Sequence, residues 1–147
     1  MKRVERSAIV DHPAGALYAL VEHIETYPSF LPWCLAATVR SRTPERTVAT
    51  LAVGVRGLRQ SFTTENCNRA GEAIEMRLVE GPFRHFAASW RFTPLGESAC
   101  RIGFTMEYQF SSSAAGKALE PLFGSIADTM VDAFKRRADE LHGHAQN

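Results

Sequence analysis

Tyr27-Pro28-Ser29-Phe30-Leu31-Pro32-Trp33-Cys34 is the stretch that decides how the chain folds. Two prolines four residues apart exclude a regular helix or a central strand, because each removes a backbone donor and restricts the residue before it. Yet Tyr27, Phe30, Leu31 and Trp33 carry far more apolar surface than a solvated loop tolerates. A greasy segment with a broken backbone must lie against something. It either plugs the end of a core or roofs a cavity that an apolar ligand could enter.

Working outward, Val4 to Val10 reads as a strand and Ala14 to Glu22 as a helix, entered through Pro13 and capped by Asp11. The proline block follows as a short, irregular or one-turn helical piece. From Ala36 the apolar period changes from helical to two. Strands are expected over Thr38–Arg42, Val48–Arg56, Leu58–Asn68 and Ala73–Glu80, then along Phe86, Ala88, Trp90 and Phe92, and finally from Ile102 to Phe110. Hairpin spacing between these runs argues for an antiparallel meander with one wet and one buried face. From Ser113 to Leu141 the pattern is helical, about 43 Å long at 1.5 Å per residue. Leu119, Leu122, Phe123, Ile126, Met130, Phe134 and Leu141 share its apolar stripe, Pro121 either starts or kinks it, and residues 142–147 form a flexible tail. The fold class is therefore α+β. A curved antiparallel sheet of six or seven strands wraps a long C-terminal helix in a helix-grip arrangement, with two short helices after the first strand, all in one domain spanning 1–147.

Seventeen Lys and Arg against sixteen Asp and Glu leave a net charge of +1, which gives no global electrostatic case for DNA or anionic lipid. Cys34, Cys67 and Cys100 are odd in number and lack CxxC spacing, so reduced, mostly buried thiols are expected. Met1 to Arg6 runs into charge without an apolar h-region, and no stretch nears the roughly 18 apolar residues of a membrane span. A soluble cytoplasmic protein is the expectation.

Six short motifs then carry a resemblance across about 110 residues of the chain. They are Tyr27-Pro28-x-Phe30-Leu31-Pro32-Trp33-Cys34, Val53-Gly54-Val55-x-Gly57-Leu58, Ser61-Phe62-Thr63-Thr64, Gly81-Pro82-Phe83, Trp90-x-Phe92 and Phe134-Lys135-x-Arg137-Ala138. In this order they resemble the coenzyme Q-binding, START-like family, within the wider polyketide cyclase and lipid-transport group. The resemblance implies a START-like helix-grip fold. It also implies two functions known among similar proteins. One is binding ubiquinone or a related polyprenyl lipid to support respiration, with no further cofactor and with peripheral contact at the inner membrane. The other is a toxin's binding to the large ribosomal subunit, which blocks subunit association.

For the first function, the candidate ligand residues are Tyr27, Phe30, Leu31, Trp33, Phe62, Met76, Glu80, Phe83, Phe86, Trp90, Phe104, Tyr108, Phe123, Met130 and Phe134. Any one of these rings could equally be filled core; together, faces so rich in large rings are hard to close without voids. Burying about 300 Å² of isoprenoid at ~25 cal/mol/Å² yields roughly 7 kcal/mol gross. One neutral hydrogen bond to a quinone oxygen contributes only about 1 kcal/mol. Apolar walls would set affinity, and polar groups such as Tyr27, Thr64, Glu80 and Tyr108 would set orientation. Glu80 shares inward parity with Ile74, Met76 and Leu78, though a strand-end residue beside Gly81-Pro82 can also curl into solvent.

Catalytic patterns are thin. No HExxH, G-x-S-x-G or phosphate-loop spacing occurs, no metal site is expected, and Glu80 with Tyr108 or His85 is the only acid/base pair a cyclase could use. A binding protein is expected rather than an enzyme. For the ribosome alternative, Arg40, Arg42, Arg56 and Arg59 would supply phosphate contacts, unless they are simply solvated strand edges.

Overall fold

The computed structural model describes residues 1–143 apart from Arg56. β1 (Lys2–Val10) leads into α1 (Ala14–Glu22) and a 3₁₀ turn (Ile24–Ser29). β2 (Cys34–Arg42), β3 (Arg46–Val55), β4 (Leu58–Arg69), β5 (Ala73–Glu80), β6 (Phe83–Pro94) and β7 (Cys100–Phe110) follow, and α2 (Ser113–His142) ends the described chain. The seven strands form one antiparallel sheet in the order β1-β7-β6-β5-β4-β3-β2. Six consecutive strands thus form a meander, and β1 closes on the last of them. The expected architecture, a curved antiparallel sheet holding a long C-terminal helix, is the one observed.

Period-two alternation explains the sheet's two faces. Phe86, Ala88, Trp90 and Phe92 of β6 are buried, as are Ile102, Phe104, Met106 and Tyr108 of β7 across from them. Against this face α2 lays Leu119, Leu122, Phe123, Ile126, Met130 and Phe134, all buried. Each such side chain contributes about 1.5–3 kcal/mol relative to exposure, which is why the grip closes. Pro121 neither starts nor ends α2, which runs through it as one 30-residue helix.

Three expectations need correction. Asp11 does not cap α1: the N-cap is Pro13, with no side-chain cap bond, and its carbonyl accepts the N–H groups of Ala16 and Leu17. Leu141 is 54% exposed, because the buried stripe ends one turn earlier at Ala138. There the helix meets the β1–α1 connection, where buried His12 bonds Asp139 through Nε2 at 2.7 Å. His142, expected to belong to a flexible tail, is helical instead, and its ring lies 5.8 Å from that of His12. Residues 144–147 lie outside the described residues.

Candidate functional site

The proline segment is held by its own backbone. Leu31 N–H donates to the Tyr27 carbonyl and Cys34 N–H to that of Leu31, each at 2.9 Å. The Tyr27 hydroxyl donates to the carbonyl of Val21. Its ring meets Phe30 and Phe134 edge-on, and the Arg137 guanidinium sits 5.3 Å over the Phe30 ring. Trp33 accepts the Gly54 N–H at 3.0 Å. Position 54 must be glycine, since a Cβ there would stand 2.1 Å from the Leu58 carbonyl oxygen. Plug and wall are both realised: Tyr27, Leu31 and Trp33 are buried, while Phe30 is half-buried and Pro32 exposed.

Between this segment and α2 lies a cleft of about 740 Å³. Phe30, Leu31, Pro32 and Trp33 form one wall, with Gly54 beside them. The other wall is α2, where Pro121, Ser125, Thr129 and Ala133 recur every four residues. That spacing aligns them on one helix face. Small side chains there leave the gap open, and Thr129 folds its hydroxyl back onto the Ser125 carbonyl at 2.7 Å. Leu122, Asp132 and Arg136 complete the lining. The volume lies within the range of small-molecule sites.

Inside the grip the picture is different. The void there measures only about 40 Å³ and is lined by Tyr27, Trp33, Leu51, Phe62, Met76, Phe86, Ala88, Trp90, Phe104, Met106, Phe123, Ile126 and Met130. Large rings therefore close this interior, contrary to the expectation that they would leave it hollow. They do so by tiling at an angle: Trp90 and Phe134 meet at 5.2 Å edge-on, and Phe62, Phe83, Phe86 and Phe123 interlock at 5.2 to 6.1 Å. A third void of about 20 Å³ lies beneath α1, walled partly by Thr47, Thr64, Asn66 and Asn68.

The candidates accordingly divide. Phe30, Leu31 and Trp33 line the cleft, with Trp33 shared between cleft and interior void. Phe62, Met76, Phe86, Trp90, Phe104, Phe123 and Met130 line the interior void, and Phe83 and Phe134 are packed among other rings. Three of the polar candidates fall away. The Tyr27 hydroxyl is already bonded, and burial pushes its ionisation well above the ordinary phenol range. Tyr108 is buried at the other end, beside Gly116 and Glu120, its ionisation also raised by burial. Glu80 is exposed because a register shift between Thr63 and Thr64 puts Glu80 and Leu78 opposite consecutive residues and breaks the inward parity. His85 faces Glu107 at 3.9 Å, on the opposite side of β7 from Tyr108, so the acid/base trio does not converge.

The arginine candidates scatter too. Arg42 is clamped by Glu22 (Nε to Oε1, 2.8 Å) and Glu25 (Nη2 to Oε1, 2.8 Å). The Arg42 hydrogen bond holds the Glu25 carboxyl down to about 2. Arg40 donates to Thr50 Oγ1 at 2.6 Å, Arg59 is exposed, and Arg56 lies outside the described residues. The three cysteines are free; burial pushes the Cys34 thiol up to about 11, whereas Cys67 is exposed. No described helix is long and apolar enough to cross a membrane.

Sequence reading missed the α2 wall, because its small and polar residues carry no apolar signal. It also missed Asn66 and Asn68, although the inward parity of Phe62 and Thr64 points to both.

A seven-stranded antiparallel sheet gripping a terminal helix, with an apolar cleft beside it, defines a class of proteins. The chain belongs to the polyketide cyclase/dehydrase and lipid transport family, which matches residues 10–135. It is 41% identical to the ribosome association toxin RatA of Pseudomonas aeruginosa over 95% of this chain and 97% of that one. It is also 28% identical to the mitochondrial coenzyme Q-binding protein COQ10 of Dictyostelium discoideum, over 97% of this chain and 72% of that one. The fold matches the Zhui aromatase/cyclase of Streptomyces sp. R1128 with a TM-score of 0.79 at 19% identity, covering 99% and 98% of the two chains.

Proposed function

We propose that the chain is a non-catalytic carrier that holds a neutral polyprenyl lipid, of the quinone class, in the cleft between the proline segment and α2. The observation that carries this reading is the cleft itself: about 740 Å³, walled by Phe30, Leu31 and Trp33 and floored by small side chains. The similarity to a coenzyme Q-binding protein supports the quinone class. Most of the affinity would come from apolar contact, at ~25 cal/mol for each Å² removed from water. Organic extraction of freshly purified protein, followed by mass spectrometry, tests it. Stoichiometric quinone is expected. Protein that emerges lipid-free and takes up no added quinone would rule the carrier out.

A second reading is favoured by the 41% identity to a ribosome association toxin over nearly the full length. Here the chain binds the large ribosomal subunit through exposed arginines such as Arg40 and Arg59, while Arg42 stays committed to Glu22 and Glu25. Salt-sensitive co-sedimentation with large subunits, lost in an Arg40→Glu/Arg59→Glu double variant, is the expected result. Co-sedimentation that ignores both salt and the variant would remove the arginines from that reading.

A further inference from the structure

β4 carries an unusual inward row. Phe62, Thr64, Asn66 and Asn68 alternate toward the helices, and the last three are 4%, 3% and 7% exposed. Polar side chains that deep normally exhaust their hydrogen bonds on one another. Here they do so only in part. Thr64 Oγ1 donates to Asn66 Oδ1 at 2.9 Å, and Asn68 Nδ2 donates to Thr47 Oγ1 at 3.1 Å. The Asn66 amide nitrogen and the Asn68 amide oxygen have no side-chain partner among the described residues, and both asparagines line the small void under α1. A donor and an acceptor therefore border the same small void, and solvent still reaches them, since no fully buried polar side-chain atom among the described residues lacks a partner.

That space lies two side-chain partitions away from the cleft. Trp33 separates the cleft from the interior void, and Tyr27, Leu51, Met76 and Trp90 separate the interior void from the polar one. Met76 also faces Asn66 across the β4–β5 ladder. Methionine is the unbranched, readily repacked side chain that a passing ligand displaces at least cost. The polar void's walls include one charged side chain, Glu22, which Arg42 pairs at 2.8 Å, and no Lys, Arg or His. An anionic head would meet a carboxylate in that lining, the nearby Arg42 being already committed to Glu22 and Glu25.

The geometry points to a head-group site at Asn66 and Asn68 for the same ligand. The lipid carries a small neutral head with carbonyl or hydroxyl oxygens, its tail lies back past Met76 and Trp33 into the cleft, and fatty acids and phospholipids are rejected. This rests on the cleft reading of the previous subsection and specifies the chemistry of its ligand. Admission of the head requires Met76 and Trp33 to swing, because the voids as they stand hold about 20 and 40 Å³.

The test is displacement of the neutral dye Nile red from the full chain by three probes with the same ten-carbon tail: decylubiquinone, decylbenzene and decanoate. Asn66→Leu should weaken decylubiquinone about fivefold, the value of one neutral hydrogen bond, and leave decylbenzene within twofold. Ala133→Trp, which fills the cleft, should weaken both by tenfold or more, and decanoate should bind more weakly than the quinone throughout. Asn68→Ala, which opens rather than fills the void, gives the same comparison if Asn66→Leu does not fold. Unchanged quinone affinity in both asparagine variants, with loss in Ala133→Trp, overturns the head-group site and leaves the cleft standing. Decanoate binding as tightly as decylubiquinone overturns the neutral head. If the wild-type chain binds none of the probes, the cleft reading itself fails and this inference with it.

Discussion

The two ends of the grip are built from the same elements and come out differently. At one end α2 places Phe123 among Phe62, Phe83, Tyr108 and Phe110, with ring centroids 5.3 to 6.1 Å apart, so the rings pack on one another. The space beside them is an open hollow of about 410 Å³ lined largely by polar residues such as Lys2, Arg84, Gln109 and Glu120. At the other end the same helix turns Ser125, Thr129 and Ala133 toward the proline segment, and a cleft of about 740 Å³ opens. Side-chain size at a four-residue spacing makes the difference. Hydrophobicity as such does not: the more aromatic end is the closed one, because angled rings fill space at near-crystalline density.

Ways to break this contrast can be ranked by expected effect. Phe123→Ala removes a ring from the centre of the closed end and should cost about 3–5 kcal/mol of stability, measured by urea denaturation. Phe123 borders the interior void but not the cleft, so retained lipid per folded molecule should fall by less than in Trp33→Ala. Trp33→Ala opens the partition between cleft and interior void. It should destabilise by less, about 2–3 kcal/mol, because part of the truncated site is already open. Its larger effect should be on retained lipid, read by extraction and mass spectrometry; equal loss of both would make the segment a plug alone.

Ala133→Trp sharpens the contrast from the other side. It should lower lipid retention tenfold or more while changing the thermal midpoint by only a few degrees, seen by circular dichroism. The smallest effect concerns the Arg42 clamp on the α1 end. Glu25 is depressed to about 2 in the folded chain, so its contribution is present above the ordinary carboxylate value near 4.5 and is lost as pH falls through about 2. The group is largely solvent-facing, which limits the contribution to under about 1 kcal/mol. Arg42→Ala should flatten the slope of urea midpoint against pH between those values and leave stability above pH 5 slightly lower.

Much of the fold was legible beforehand. Phe86, Ala88, Trp90 and Phe92 mark an inward strand face, and Leu119 to Phe134 mark a helix stripe, because burial on one face imposes a strict period. Glu80 misled the same logic: a shift in the β4–β5 register exposes it, and nothing local in its sequence signals that shift. Asp11 looked like a cap, yet Pro13 occupies the N-cap position. The arginines looked like a patch until Glu22 and Glu25, distant in sequence, came to sit on Arg42.

The chain's periodicity alone determined which segments are strands, their inward faces and the helix they hold, since each is a local pattern repeated along one element. That β1 closes on β7 was decided by the tertiary structure. Only the tertiary structure decided where space remains. A void is a property of surfaces meeting, and the walls of this one, Phe30 to Trp33 and Ser125 to Arg136, lie about a hundred residues apart.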